Sequence, residues 1–252
     1  EHYGYEIIAP AAGRLACGDV GAGKLPSEEV LVEYIEKAIA KPKDLAGKKI
    51  LVTAGPTRES IDPVRFITNH STGKMGYAIA RAAMLRGAEV TLVSGQTNLT
   101  PPPFVNVVSV VSAQDMFEAV RDHFEEQDVI IKSAAVADYR PAKVSDEKIK
   151  KKDGDMSIEM ERTTDILQYL AGRRREDQFI CGFSMETQNM LENSRRKLAK
   201  KKLDMIVANN LKVEGAGFGT DTNVVTFITK AQEKTLERMS RQEVADRLLD
   251  FI

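Results

Sequence analysis

The sequence predicts an open α/β fold in which a mostly parallel sheet is flanked by helices. Short apolar runs rich in β-branched residues, such as residues 50–54, alternate along the chain with helical segments of ten or more residues. Many helical segments carry an apolar stripe, and the apolar residues between Met75 and Ala83 follow the spacing of a packed helix. This alternation predicts parallel strands joined by right-handed helical crossovers.

The elements follow in order along the chain. Residues 6–10 are predicted to end a strand, 13–23 to form a glycine-rich loop, and 27–40 to form a helix capped by Ser27. The polar segment 41–49, broken by Pro and Gly, indicates a linker. The predicted strands beyond it are 50–54, 90–93, 106–111, 128–131, 179–183, 205–208 and 224–228. The predicted helices are 74–86, 113–124, 164–174, 190–202 and 240–252, which completes a Rossmann-like open sheet.

The composition narrows the function classes. With 252 residues and a formal net charge of −1, the chain does not suggest a nucleic-acid-binding surface. It contains no apolar run long enough to span a membrane. Its two cysteines, Cys17 and Cys181, are too few for a disulfide framework, so a reducing cytoplasm is the expected setting. The chain starts at Glu1 without a signal sequence, and we expect it to begin inside a longer protein.

Ligands of such sheets bind at the carboxyl ends of the strands, beside helix N-termini. The turn after residues 50–54 extends to residue 73, whereas about two to six residues are usual at this place. Arg65 and Lys74 add positive charge to this turn, and Ser71-Thr-Gly-Lys74 lets backbone approach a phosphate. Ser71 or Thr72 is expected to cap the following helix, which should end before Gly87. The pattern favours a phosphate-binding loop over an ordinary surface loop.

Two further features belong to the same edge of the predicted sheet. Residues 131–141 combine small side chains with Asp138, which could orient a metal-bound phosphate or a ribose hydroxyl. A buried strand ending in a turn explains this segment equally well. Lysine clusters at 148–152 and 197–202 resemble ordinary solvated faces. In a chain of near-zero net charge they are also local positive patches, which suit a polyphosphate better than a long nucleic acid.

Three local patterns resemble known sites but lack the required context. Gly18-Asp-Val-Gly-Ala-Gly-Lys-Leu25 has Leu where a P-loop needs Ser or Thr, and no clear strand leads into it. Tyr139 and Lys143 have the spacing of a reductase pair, but Pro141 would interrupt the helical turn between them. No G-x-G-x-x-G follows the first strand, which disfavours nicotinamide chemistry. The three histidines lack metal-ligand spacing.

Long motifs occur throughout residues 46–252. They are Gly55-Pro-Thr-Arg-Glu59, Asp62-Pro-Val-Arg-Phe-Ile-Thr-Asn-His-Ser-Thr-Gly-Lys-Met-Gly76, Ala134-Ala-Val-Ala-Asp-Tyr-Arg140, Glu147-Lys-Ile-Lys-Lys151, Asp165-Ile-Leu167, Gly182-Phe-Ser-Met-Glu-Thr187 and the tract Ala208–Asp221. By these motifs the chain closely resembles the phosphopantothenate–cysteine ligase domain of bacterial bifunctional decarboxylase/ligases of coenzyme A biosynthesis. It departs at Ser184-Met185, where the family often has two alanines, and at Asn210, where an aspartate is common.

The first forty residues resemble the end of the partner decarboxylase domain, which is flavodoxin-like. Ala12-Gly-Arg-Leu-Ala-Cys-Gly-Asp19 matches its loop that carries a proton-donor cysteine, here Cys17. The resemblance therefore implies a decarboxylase remnant at 1–40, a linker at 41–49 and a ligase domain at 50–252. FMN and decarboxylase activity are expected only of the full-length protein.

The resemblance implies an enzyme that joins 4′-phosphopantothenate to L-cysteine with CTP as co-substrate. The pantothenate carboxylate attacks the α-phosphate of CTP and releases pyrophosphate, and the cysteine amine then attacks the acyl-cytidylate and releases CMP. Mg²⁺ or a similar divalent cation is implied as cofactor. A cytoplasmic homodimer is also implied, with no nucleic-acid or membrane partner.

Site residues are implied by the same resemblance. Asn69 would orient the acyl-cytidylate near the dimer interface, with Arg65 beside it, and Lys148 would serve the first step. Ser71, Thr72, Gly73 and Lys74 would form the phosphate-binding loop, and Asp138 would act through the metal. CTP contacts are implied for Lys132, Ser133, Ala134, Asp138, Lys148, Thr164, Asp165, Ile166, Leu167, Phe183, Lys197 and Lys201.

Two other functions stay open on this fold. An NAD(P)-dependent reductase would oxidise NAD(P)H, which is seen as a loss of absorbance. A non-enzymatic nucleotide-binding module would bind its ligand without turnover. The nucleotide is also open between CTP and ATP, because some relatives of the resembled family use ATP.

Overall fold

The computed structural model describes residues 5–151, 153–186, 189–210 and 221–252. Lys152, Thr187 and Gly217-Phe218, which belong to the motifs and lysine clusters above, lie outside these ranges. The strands are β1 (Ala11–Arg14), β2 (Val20–Lys24), β3 (Lys49–Ala54), β4 (Glu59–Ser60), β5 (Phe66–Ile67), β6 (Glu89–Ser94), β7 (Asn106–Ser109), β8 (Val129–Lys132), β9 (Tyr139–Pro141), β10 (Met160–Arg162), β11 (Phe179–Glu186), β12 (Met205–Asn210), β13 (Thr222–Asn223), β14 (Val225–Thr229), β15 (Glu233–Thr235) and β16 (Met239–Ser240). The helices are α1 (Glu28–Ile39), α2 (Lys74–Leu85), α3 (Ala113–His123), α4 (Ile166–Ala171), α5 (Met190–Lys200) and α6 (Arg241–Leu249).

An eight-stranded sheet organises the molecule in the order β15-β14-β12-β11-β8-β3-β6-β7. The strands from β12 to β7 are parallel, and β14 and β15 extend the sheet in antiparallel fashion. The predicted Rossmann-like, mostly parallel sheet is therefore confirmed. Chain order reverses between β3 and β8, which makes this gap the topological switch point where ligands bind in such sheets.

Apolar layers cover both faces of the sheet. The layer under α2 and α6 includes Ala83, Leu92 and Leu248, and the layer under α3, α4 and α5 includes Ile130 and Leu198. Because both faces are covered, the central strands are apolar along most of their length rather than alternating. No helix in the described ranges has the length and apolarity that crossing a bilayer requires.

The start of α2 differs from the prediction. Neither Ser71 nor Thr72 caps the helix, because Gly73 occupies the N-cap position with a left-handed φ of 79°. Glycine adopts this conformation without steric cost. Ser71 Oγ instead accepts the N–H of Gly73 at 3.4 Å. The predicted helix end is confirmed, since Gly87 follows α2 with a φ of 91°.

The N-terminal segment also differs from the prediction. The strand expected at 6–10 and the loop expected at 13–23 are wrong, because β1 and β2 pair as an antiparallel hairpin. Gly18, with a φ of 94°, permits the tight turn, and the N–H of Leu15 donates to the Asp19 carbonyl at 2.8 Å. The P-loop-like stretch thus lies in a hairpin rather than between a strand and the helix it would need.

The segment 41–49 packs on the sheet domain. Leu45 is buried, and its N–H donates to the Arg86 carbonyl at 3.0 Å. The buried Arg86 guanidinium in turn pairs with Asp44 and Asp250. These contacts attach the segment to both α2 and α6. The domain boundaries given above stay a prediction.

Candidate functional site

Two neighbouring cavities open at the switch point. The first, the lysine cavity, has a volume of about 420 Å³ and lies between the carboxyl end of β8, α4 and α5. The second, the loop cavity, has a volume of about 270 Å³ and reaches from β8 to the start of α2. Both are lined by a shared wall of Lys132, Val136, Asp138, Leu167 and Lys197. They therefore form one cleft in which two ligands can meet.

The long loop after β3 is tied to the turn after β8. The N–H of Ala135 donates to the Gly55 carbonyl at 3.0 Å, and the N–H of Thr57 donates to the Ala135 carbonyl at 3.2 Å. On the opposite side Gly95 lies so close that a Cβ there would stand 2.1 Å from the Pro56 carbonyl oxygen. The loop is thus held between two strand ends, which fixes its path to α2.

Residues 71–76 form one wall of the loop cavity. A Cβ on Gly76 would lie 2.5 Å from the Ala54 Cβ, so the first turn of α2 lies directly against β3. The N–H groups at the start of a helix attract anions, which suits this wall to a phosphate or carboxylate. Lys74 Nζ donates to Asp221 Oδ1 at 2.6 Å at the rim.

Asn69 links the two loops of the cleft without lining either cavity. Its Nδ2 donates to the Ala135 carbonyl at 2.7 Å, and its Oδ1 accepts the N–H of Ser71 at 3.0 Å. The side chain therefore sets the distance between residues 71–74 and the turn after β8.

Lys132 lies at the centre of the shared wall. Burial, and next the positive charge of Lys197, lower its pKa to about 8. Asp138 and Asp165 oppose this shift without cancelling it. A partly buried ammonium group in this position gains strongly from an anionic ligand, because the ligand restores the charge stabilisation that water no longer provides.

The other lysines of the cleft are oriented by α4 and β11. Lys197 Nζ donates to the Phe183 carbonyl at 3.0 Å, and Lys201 Nζ pairs with Asp165. Asp165 also caps α4, where its Oδ1 accepts the N–H of Gln168 at 3.0 Å. Burial raises the pKa of the Asp165 carboxyl, but the hydrogen bonds and the lysine charges outweigh burial and hold it below its usual range.

Asp138 is the predicted metal-contacting residue. Its exposed side chain lies in the shared wall. Within the described ranges, no three His, Cys, Asp or Glu side chains form a metal-binding group by themselves. Mg²⁺ often takes one or two carboxylates and completes its shell with phosphate and water oxygens. Asp138 fits that mode of binding and does not fit an all-protein cage.

The structure brings together most of the predicted site residues. The lysine cavity is lined by Thr164, Asp165, Ile166 and Lys201, and the loop cavity by Ser71, Thr72, Gly73, Lys74, Ser133, Ala134 and Phe183, besides the shared wall. Lys148 is exposed and lies outside both linings, and Cys17 is exposed in the turn of the N-terminal hairpin. The roles assigned to these residues stay predictions.

Arg65 lies outside both cavity linings. Its guanidinium pairs with the buried Asp62 and donates to the Ile149 carbonyl at 2.9 Å. The hydrogen bond from Arg65 is the main cause that holds the pKa of the Asp62 carboxyl far below its usual range. Since Asp62 Oδ2 also accepts the N–H of Ile149 at 3.1 Å, the pair fastens the segment bearing Lys148 to the long loop.

Besides Ser184, three polar residues that line the loop cavity were not among the predicted site residues. Asn209, Asn223 and Arg241 line its far side, at the ends of β12 and β13 and at the start of α6. One signal in the sequence could have indicated Arg241. It is a cation that directly follows Ser240, the cap of the last helix. Asn209 lies within the tract Ala208–Asp221, where no site role was predicted for it, and Asn223 and Arg241 lie beyond the motifs. Only the fold brings the three together at the cleft.

Comparison with known proteins places the chain in a family. A family model described as the DNA/pantothenate metabolism flavoprotein C-terminal domain matches residues 45–252. The coenzyme A biosynthesis bifunctional protein CoaBC of Bacillus subtilis is 49% identical over 253 aligned positions, which cover 99% of this chain and 62% of that protein. The chain thus spans about three fifths of the length of the curated relatives it matches.

Two solved structures share the fold and part of the sequence. The C-terminal domain of a coenzyme A biosynthesis bifunctional protein CoaBC is 48% identical, with a TM-score of 0.71 over 82% of this chain and 94% of that one. The DNA/pantothenate metabolism flavoprotein from Streptococcus pneumoniae is 26% identical, with a TM-score of 0.71 over 81% of this chain and 98% of that one.

Proposed function

This chain belongs to the family of the DNA/pantothenate metabolism flavoprotein C-terminal domain, and from that membership we propose that it is a CTP-dependent phosphopantothenate–cysteine ligase. The pantothenate carboxylate attacks the α-phosphate of CTP, a C–O–P bond forms, and pyrophosphate leaves. The amine of L-cysteine then attacks the acyl carbon, an amide bond forms, and CMP leaves with the electron pair of the broken C–O bond.

The observation that carries this proposal is the shared wall between the two cavities. A triphosphate and a carboxylate repel each other because both are negatively charged, so an enzyme that joins them has to neutralise charge where they meet. Lys132 and Lys197 belong to both linings and supply two positive charges at this place. Fixed charges in a water-poor site stabilise developing negative charge without reorganising during the reaction.

Each cavity has a role in this mechanism. We assign the nucleotide to the lysine cavity, where Lys201, held by Asp165, adds a further cation. The phosphopantothenate carboxylate reaches the shared wall from the loop cavity. Holding both groups in one cleft supplies the positioning that such a displacement requires.

A divalent cation is the proposed cofactor, with Asp138 as its protein ligand beside the triphosphate. When bound, Mg²⁺ neutralises phosphate charge. We further propose a homodimer formed through the surface near Asn69, because Val64 and Phe66 of the same long loop carry exposed apolar side chains. Light scattering of the purified chain measures the oligomeric state, and a monomer at micromolar concentration would remove this part of the proposal.

Asn69→Asp is expected to form the acyl-cytidylate but to release product about 30- to 100-fold more slowly. The new carboxylate still accepts from the N–H of Ser71, so the phosphate-binding loop keeps one of its contacts. Its second oxygen replaces the Nδ2 donor, so the Ala135 carbonyl faces another acceptor and loses its hydrogen bond. A polar group left unsatisfied in this way costs about 1–3 kcal/mol. Chromatography of quenched reactions detects the accumulating intermediate.

The matched control is Asn106→Asp at the exposed start of β7, which should turn over like the wild type. If Asn69→Asp formed product at the wild-type rate, the link between the two loops would not be required for the second step.

A pyrophosphate-release assay tests the proposed function. With phosphopantothenate and CTP but no cysteine, we expect one equivalent of pyrophosphate per site, and CMP should appear only after cysteine is added. ATP in place of CTP tests nucleotide preference, and NADPH absorbance serves as the reductase control. If neither CTP nor ATP gave pyrophosphate, the ligase assignment would be contradicted.

A further inference from the structure

Arg241 occupies the wall of the loop cavity that faces away from the lysine cavity. It is the first residue of α6, and the fold fixes its position tightly. Ser240 Oγ accepts the N–H of Glu243 at 3.2 Å, while Glu243 Oε2 accepts the N–H of Ser240 at 2.8 Å. This reciprocal capping defines the first turn of the helix from which the Arg241 side chain extends.

A short strand pair brings an acidic neighbour to Arg241. Thr222 of β13 pairs with Ser240 of β16, and the N–H of Arg241 donates to the Asp221 carbonyl at 3.2 Å. The Asp221 carboxylate forms its ion pair with Lys74, at the start of α2. Its side chain is 89% exposed, so water screens much of the negative charge that it offers to the cavity.

The described residues that line the loop cavity carry more positive than negative charge. Among its described lining residues the cations are Lys74, Lys132, Lys197 and Arg241, whereas Asp138 is the acidic one. Arg241 is partly buried, and this burial lowers the pKa of its guanidinium although Asp221 acts in the opposite direction. A partly desolvated cation in a cavity with surplus positive charge favours an anionic ligand.

We propose that Arg241 binds a phosphoryl group of a substrate in the loop cavity, whose lining it shares with residues 71–74. This inference rests on the proposed function, which offers two phosphoryl sources: the terminal phosphate of phosphopantothenate and the β- and γ-phosphates of CTP. Arginine suits either, because its planar guanidinium donates two parallel hydrogen bonds to phosphate oxygens. It is a binding residue that the family resemblance left unassigned.

Steady-state kinetics of Arg241→Met identifies the source. Loss of a charge-assisted phosphate contact should raise one KM by about 10- to 100-fold while the other changes little. If the phosphopantothenate KM rises, then pantothenate, which lacks the phosphate, should be used equally poorly by variant and wild type. If the CTP KM rises instead, inhibition by added pyrophosphate should weaken in parallel. Either pattern supports the proposal.

Two further variants control for structure. Arg247→Met lies on the same helix with an exposed side chain and should match the wild type. Arg241→Lys keeps the charge but not the paired donors, so it should recover part of the affinity. If both Arg241 variants show wild-type KM values for both substrates, the proposal is overturned.

Direct binding separates this inference from the ligase assignment. Calorimetry with pyrophosphate and with inorganic phosphate should show at least 10-fold weaker binding to Arg241→Met than to the wild type. That result would support the phosphoryl site even if the wild type formed no product. Equal binding of both anions to Arg241→Met, Arg241→Lys and the wild type would overturn it, even in an active ligase.

Discussion

Lys132→Met is expected to lower kcat/KM for CTP by about 100- to 1000-fold, the effect typical of removing one preorganised electrostatic group from an active site. The reason is its position in the shared wall, where it contributes charge to both cavities. Methionine has similar length and no charge. Steady-state assays with cysteine measure kcat/KM, and the rate of the single pyrophosphate turnover without cysteine isolates the first step. The matched control is Lys230→Met, in the exposed turn after β14.

The same variant should be more stable than the wild type at neutral pH. Lys132 has a pKa of about 8 in the folded chain against an ordinary value of 10.5. Keeping the protonated form in the folded state therefore costs free energy of folding. This cost is fully present below pH 8 and disappears as the pH rises from 8 to above 10.5. A higher melting temperature at pH 7 that converges with the wild type near pH 10 is expected. A lower melting temperature at pH 7 would indicate that Lys132 is structural.

The wild-type pH profile should carry the signature of this lysine. Because only the protonated form neutralises phosphate, the second-order rate constant for single-turnover pyrophosphate release from CTP should fall as the pH rises through about 8. The assay again omits cysteine, whose own titration would otherwise overlap. This descending limb should be absent from the residual activity of Lys132→Met, and an unchanged limb in that variant would assign the titration to another group.

Gly76→Ala should lower the melting temperature by roughly 4–8 °C and reduce ligation at least 10-fold. Alanine favours a helix over glycine by about 1 kcal/mol. Here the new methyl group would stand 2.5 Å from the Ala54 Cβ, and overpacking against a rigid strand costs about 1–3 kcal/mol or more. We expect a net loss of about 2 kcal/mol, and about 2–4 °C per kcal/mol is usual for a chain of this size.

Activity should fall with stability in this variant because α2 has to move away from β3, and residues 71–74 move with it. The matched control is Gly172→Ala, whose added Cβ would meet its nearest neighbour, the Tyr169 carbonyl oxygen, at an ordinary 3.7 Å. A Gly76→Ala protein as stable and active as Gly172→Ala would show that close contact between α2 and β3 is dispensable.

The central sheet was predictable because its strands carry a strong local signal. β3 and β8 are apolar runs that end at turns, and α2 has an apolar stripe and a terminal glycine. The N-terminal hairpin lacked such a signal. Its strands are short, and Val20 is 83% exposed, so backbone pairing rather than an apolar face defines them.

The candidate site was predictable where residues lie directly after a strand or at the start of a helix. Lys132 ends β8, and residues 71–74 lead into α2, so elementary rules of parallel sheets bring them together. Arg241 was missed because its approach depends on pairing between β13 and β16, two strands of two residues each. The pairing of Arg65 with Asp62 could not be predicted either, because the sequence shows which residues are charged but not which of them pair.

A crystal structure of the chain with bound CTP tests most directly whether the shared wall gathers the triphosphate. We expect phosphate oxygens within hydrogen-bonding distance of the side-chain nitrogens of Lys132 and Lys197, with the nucleoside in the lysine cavity. A complex in which both lysines lack phosphate contacts and the nucleotide lies away from the switch point would contradict the proposed mechanism.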